Sequence, residues 1–99
     1  MTEFQNLIKS EVPVLIDFYA EWCAPCRMMP PILKQVKDQL GDQIRIIKID
    51  TDKNPALSAQ LQIRSIPTMM LFKNGEKAWQ TSGVMQASQL IATLKHYLN

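Results

Sequence analysis

The chain is poor in the residues that hold small proteins together covalently or through metals: among 99 residues there are two cysteines and one histidine. A structural zinc site usually needs four Cys or His ligands, so only a dimeric site recruiting His96 would complete the set. The several-bridge framework of small secreted domains is excluded as well. Charge of one sign is equally scarce. Eleven basic and nine acidic residues leave a formal net charge of +2, with no lysine or arginine cluster of the kind that grips nucleic acid or an anionic lipid surface. No apolar run approaches the length of a membrane span. The start, Met1-Thr2-Glu3-Phe4-Gln5-Asn6, lacks a basic stretch followed by an apolar one, so a cytoplasmic protein is expected. Repeats, linkers and low-complexity segments are absent. With 46% hydrophobic residues, the expectation is one domain over residues 1–99 with a modest core.

Both cysteines stand in one pentapeptide, Trp22-Cys23-Ala24-Pro25-Cys26, where an apolar strand-like run gives way to a helix-like one. A cysteine at the opening of a helix meets unpaired backbone N–H groups and the positive end of the macrodipole, which favour thiolate. Thiolate is the reactive form. The second cysteine, three positions on, shares the helical face with its Cβ roughly 5–6 Å away, within reach of a disulfide after small adjustments. Pro25 falls in the first turn, where its missing N–H would have had no helical partner. As a structural staple the pair is badly placed: closing a ring of about 4 residues is worth roughly 2 kcal/mol, against about 4.7 for a ring of about 100. Inert buried thiols are less natural beside a helix start and a turn-forming proline. The pair reads as a dithiol that cycles with a disulfide.

The pattern around it alternates strands and helices. Phe4, Leu7 and Ile8 form a short helical stripe, with Thr2 and Gln5 spaced as a capping box. Val12 to Tyr19 is an apolar run rich in β-branched and aromatic residues, as in a central strand covered on both faces. Met29, Ile32, Leu33, Val36 and Leu40 fall at helical spacing up to Gly41, with Pro30-Pro31 expected to break or kink that helix. Ile44 to Asp50 is a second strand, so strand, helix, strand implies a right-handed crossover and a parallel pair. A short helix opens at Asn54-Pro55, and a third strand runs from Ile66 to Lys73. Asn74-Gly75 calls for a two-residue hairpin into a strand from about Lys77 to Ser82. Leu90, Ile91, Leu94, Tyr97 and Leu98 mark a last helix beginning near Ser88. This order puts the cysteines at the carboxyl end of the first strand, where α/β sheets tend to carry their sites. Asp17 is flanked by Ile16 and Phe18 inside the apolar run. Burial is therefore expected, and with it a carboxyl pKa above the ordinary range.

Taken together, Asp17-Phe18-Tyr19-Ala20-Glu21-Trp22-Cys23-Ala24-Pro25-Cys26, Pro31, Ile66-Pro67-Thr68, Phe72-Lys73-Asn74-Gly75 and Gly83 resemble thioredoxins, in order and at matching separations, over almost the whole chain. The resemblance implies an α/β thioredoxin fold, a central mixed four-stranded sheet flanked by helices on both faces, acting as a protein disulfide reductase. Cys23, taken as the outermost of the pair, is the expected nucleophile. Its thiolate attacks a substrate disulfide, and Cys26, one turn deeper, resolves the mixed disulfide. Asp17 is implied as the proton partner of Cys26, with Lys48 as the lysine that faces it; a solvated strand lysine is the alternative for Lys48. Ile66 and Pro67 are implied to form a cis-proline loop whose backbone pairs with an extended substrate segment. Trp22 as an apolar lid and Gly83 as a position without an obstructing side chain complete that groove, beside Ala24 and Pro25. Trp79 is assigned to packing or hairpin surface, His96 to a solvated helix end, and Met28-Met29 to core or groove edge.

The chain also departs from the family pattern. Ala24 stands where thioredoxins usually have glycine, and Tyr19 where many have tryptophan. No counterpart of the family's first strand precedes Phe4, so Ile44 to Asp50 should be a sheet edge guarded by Arg45 and Lys48. The expected partners are disulfide-containing proteins and, by resemblance, a thioredoxin reductase that supplies electrons. No bound cofactor, nucleic acid or membrane is expected, and the chain should be a monomer. A disulfide oxidant or isomerase would share every residue named here. A non-catalytic binding module would not need the intact cysteine pair.

Overall fold

The computed structural model describes residues 3–99. β1 (Val14–Tyr19) begins two residues after the start of the apolar run, because Pro13 has no N–H to give a ladder and belongs before a central strand, not in one. β2 (Arg45–Asp50) lies parallel to β1 with Lys48 level with Asp17. β3 (Thr68–Lys73) lies antiparallel on the other side of β1. Asn74 and Gly75 then take positive φ, 52° and 87°, as a two-residue hairpin turn requires, and lead into β4 (Glu76–Ser82). The sheet is mixed and four-stranded in the order β2-β1-β3-β4, as expected. β2 is an outer strand, and Arg45 and Lys48 on it are exposed.

Among the described residues four α-helices flank the sheet. α1 (Glu3–Ile8) buries Ile8 and sets Phe4 edge-on against Phe72, ring centroids 5.5 Å apart. The capping box expected from Thr2 lies outside the described residues. The helix after the cysteines forms in two pieces, a 3-10 turn over Pro25–Met28 and then α2 (Met29–Leu40). Pro30 and Pro31 stand in the first turn of α2, where an N–H has no intrahelical partner. The break they impose is thus a change of helix type at the start of α2. α2 buries Met29, Ile32, Leu33, Val36 and Leu40, the stripe its spacing predicts. It ends at Gly41, φ +54°. Lys37 Nζ donates to the carbonyls of Gly41 and Ile44, at 2.9 and 2.7 Å, which satisfies groups at the negative end of the helix. α3 (Pro55–Gln60) starts behind Asn54. α4 (Ala87–Lys95) starts one residue before the expected Ser88. No described helix is long and apolar enough to cross a membrane.

Alternation along the strands divides the core in two. Leu15, Met69 and Leu71 face α2 and α4 in one cluster, against which Trp79 and Ile46 pack. Val14, Ile16, Phe18, Met70 and Phe72 face the other side with Ile8, Phe4 and Ile49. By the same alternation Asp17 shares the face of Leu15, the side on which α2 packs.

Leu94 is fully buried in the α2-facing cluster, so Leu94→Ala is expected to cost about 2–5 kcal/mol. Lys34→Ala removes only an exposed ion pair with Asp38, 3.1 Å long, and should change stability by less than about 0.5 kcal/mol. Urea unfolding midpoints check both; a Leu94→Ala cost as small as that of Lys34→Ala would contradict the packing described.

Candidate active site

Cys23 sits in a turn whose N–H donates to the Ala20 carbonyl at 3.2 Å, and Arg27 N–H donates to Ala24 at 3.1 Å as the 3-10 turn begins. The two cysteines form a disulfide with Cα atoms 5.3 Å apart. The Cys26 N–H donates to Cys23 Sγ at 3.2 Å. This amide, together with the helix N-terminus behind it, favours negative charge at Cys23 once the disulfide is opened. The expectation that Cys23 is the outermost of the pair needs correction for this oxidised state. Cys23 is 3% exposed and Cys26 4%, because the ring turns both sulfurs inward against Ala20, Tyr19 and Ile66.

Across from the disulfide, the Ile66 carbonyl oxygen lies 3.8 Å from Cys23 Sγ. The Ile66-Pro67 bond is cis. Gly83 N–H donates to the Pro67 carbonyl at 2.8 Å, which ties the end of β4 to this loop. Gly83 has φ +88°, a conformation suited to glycine, and a Cβ there would meet no protein atom within 4 Å. A side chain there would therefore project into open space. Thr68 Oγ1 donates to the Ser65 carbonyl and lies 3.4 Å from Ser82 Oγ, bracing the loop from beneath.

Trp22 stands at the surface beside the cysteines. It is 69% exposed, and its Nε1 donates to Asp52 Oδ2 at 2.8 Å. The indole is tethered there beside the cysteines and lines a cavity of about 180 Å³ with Ile63, Arg64, Ser65 and Ile66. Asp52 is in turn positioned by Asp50, whose Oδ1 accepts from the N–H groups of Asp52 (2.9 Å) and Lys53 (3.3 Å). Neither aspartate was among the expected site residues. The local signal was present in the turn-forming stretch Asp50-Thr51-Asp52-Lys53-Asn54, but the partner of Asp52 lies thirty residues away. Met28, 52% exposed, is surface; Met29 is core, and His96 is exposed at the end of α4. Ala24 and Pro25 are exposed between the cysteines.

Asp17 is completely buried, and among the described residues neither carboxyl oxygen has a hydrogen-bond partner. Burial raises its pKa from 3.8 to about 6, against an opposing pull from the Lys48 ammonium. Lys48 is exposed and lies level with Asp17 on the neighbouring strand. A cavity of about 180 Å³ lined by Tyr19, Glu21, Cys26, Arg27, Pro30 and Lys48 opens beside this region.

A redox disulfide at a helix N-terminus, faced by a cis-proline loop on a mixed sheet, defines a thiol–disulfide oxidoreductase of protein substrates. The thioredoxin family profile matches residues 1–96. The chain is 53% identical over 94 residues to a thioredoxin-like protein of Synechocystis sp., covering 95% of this chain and 90% of that protein. It is 42% identical to thioredoxin 1 of Synechococcus elongatus, over 95% of this chain and 88% of the relative. A thioredoxin from Halobacterium salinarum superposes with a TM-score of 0.88 at 32% identity, covering all of this chain (100%) and 86% of that one. The chain belongs to the thioredoxin family, and its activity is the reduction of protein disulfides by dithiol–disulfide exchange.

The buried carboxyl has a stability consequence. A raised native pKa means that the folded state binds the proton more tightly than the unfolded chain, so ionisation of Asp17 opposes folding. The penalty is absent below pH 3.8, grows up to about 6, and above that is constant at on the order of 3 kcal/mol. Asp17→Asn, which imitates the protonated form, is expected to stabilise the oxidised protein by about that amount near pH 8 and not at all near about pH 3. Urea unfolding at the two pH values measures the difference; equal stabilities near pH 8 would contradict it.

Proposed function

We propose that Cys23 is the attacking thiolate and Cys26 the resolving one, in a single-domain, monomeric, cytoplasmic protein disulfide reductase that a thioredoxin reductase recharges. The observation that carries the order is the Cys26 N–H directed at Cys23 Sγ, 3.2 Å away. It favours negative charge on Cys23, the form in which that sulfur attacks. In the first half-reaction the Cys23 thiolate attacks one sulfur of the substrate disulfide, and the other substrate sulfur leaves as a thiolate. In the second, the Cys26 thiol loses its proton and attacks Cys23 Sγ, which releases the second substrate sulfur and leaves the Cys23-Cys26 disulfide. Two electrons pass to the substrate, and the reductase restores them to the protein.

Asp17 is suited to take the Cys26 proton. Its pKa of about 6 leaves it ionised yet basic at neutral pH, as a general base requires. Lys48 moderates that basicity by its charge. The substrate strand is read by backbone groups of Ile66 and Pro67, with Trp22 on one side and Gly83 on the other. This form of recognition depends on extended conformation more than on side chains, and a broad substrate range follows.

The order of attack is tested by trapping. Cys26→Ser is expected to accumulate a mixed disulfide with a disulfide-bonded protein substrate, and Cys23→Ser to accumulate none; each variant alone abolishes turnover. Adducts on Cys23→Ser alone would reverse the assignment. For the proton step, product release from the mixed disulfide should accelerate as pH rises through about 6, and Asp17→Asn should be slower and lose that inflection. An unchanged profile in the variant, read by rapid-quench single turnover, would remove Asp17 from the reaction.

A further inference from the structure

Lys48 does not bond the carboxyl beside which the sheet places it. It is level with Asp17 in the β1–β2 register. On β1, Leu15 packs toward α2, so by alternation Asp17 and Tyr19 share that face; on β2, Ile46 does the same, and Lys48 with it. Among the described residues the Asp17 oxygens have no hydrogen-bond partner. The Lys48 ammonium is instead found 4.7 Å from the centroid of the Tyr19 ring, within the range of a cation–π contact. A flexible four-carbon stem leaves a lysine free to choose between a carboxylate, water and an aromatic face. Here the ring holds it.

We propose that Tyr19 is a positioning residue, whose ring keeps the Lys48 ammonium within coulombic range of the Asp17 carboxyl instead of letting it turn out to water. The other charged groups nearby are engaged elsewhere. The Arg27 guanidinium donates to the Glu21 carbonyl at 3.0 Å, and the Glu21 carboxylate is 4.0 Å from Lys53. Asp50 accepts from two backbone amides. From β3, the residue level with Asp17 is the uncharged Met69, and Cys26 on the cavity wall is held in the disulfide and carries no charge. Lys48 is accordingly the charge that acts on Asp17, and Tyr19 decides where that charge sits. The hydroxyl is not required for this, since the face of the ring makes the contact. An ammonium bonded directly to the carboxylate would hold it ionised and weakly basic. One lost to water would leave its ionisation opposed by burial alone.

The effect on turnover rests on the role proposed for Asp17, but the ring–lysine–carboxyl coupling does not, so the two are tested apart. In the oxidised protein the cysteines do not titrate, and the Asp17 carboxyl can be followed by carbon NMR across pH in a double-mutant cycle. Lys48→Met should move the Asp17 midpoint upward. Tyr19→Leu should move it in the same direction, Tyr19→Phe should leave it in place, and Tyr19→Leu added to Lys48→Met should shift it no further. An unchanged or lowered midpoint in Tyr19→Leu would overturn the proposal. So would an equal shift in both backgrounds, because the ring would then act by shielding the carboxyl from water. If the coupling holds while product release from the mixed disulfide ignores it, the role of Asp17 fails and that of Tyr19 stands.

Discussion

β1 is paired on both edges and covered on both faces, and that constraint organises the molecule. Every side chain from Val14 to Phe18 is fully buried, with no residue given a solvent face. A carboxylate in such a strand has nowhere to go. Asp17 enters the interior because its neighbours Ile16 and Phe18 must, and because alternation turns it toward α2 and not toward the α1 side. Its raised pKa is a consequence of that placement, and the protein retains it although ionisation at neutral pH opposes folding.

The same strand fixes where the chemistry occurs. Its carboxyl end delivers the chain to the Cys23 turn, and the crossover helix that makes β2 parallel to β1 begins there. The helix N-terminus, with its free amides, therefore has to lie at that end of the sheet. Antiparallel β3 begins at the same end, which brings the cis Ile66-Pro67 bond opposite the cysteines. β4 finishes there, and Gly83 follows it. Three loops distant in sequence converge because the strands supporting them have one register.

Lys48 stands where two demands meet. As a charge on an outer strand, it discourages pairing with other chains. Its neighbour across the ladder is a buried carboxyl, and the long stem lets its ammonium reach the Tyr19 ring. An edge position is what makes this possible, since a lysine on an inner strand would have to bury its charge.

Much was legible in the sequence because its signals are local. The stripe of α2, the apolar run of β1, the Asn74-Gly75 hairpin and the Cys-X-X-Cys at a strand-to-helix junction each follow from residues a few positions apart, where periodicity and backbone preference decide. The burial of Asp17 was legible for the same reason. What only the tertiary structure decided depends on distance through space. Trp22 is oriented by Asp52, the ammonium of Lys48 lies on Tyr19 and not on Asp17, and both cysteine sulfurs are turned inward in the disulfide. A sequence determines which groups can form such contacts, but the choice among partners is made by packing, which brings together side chains from separate elements and excludes the water that would otherwise satisfy them.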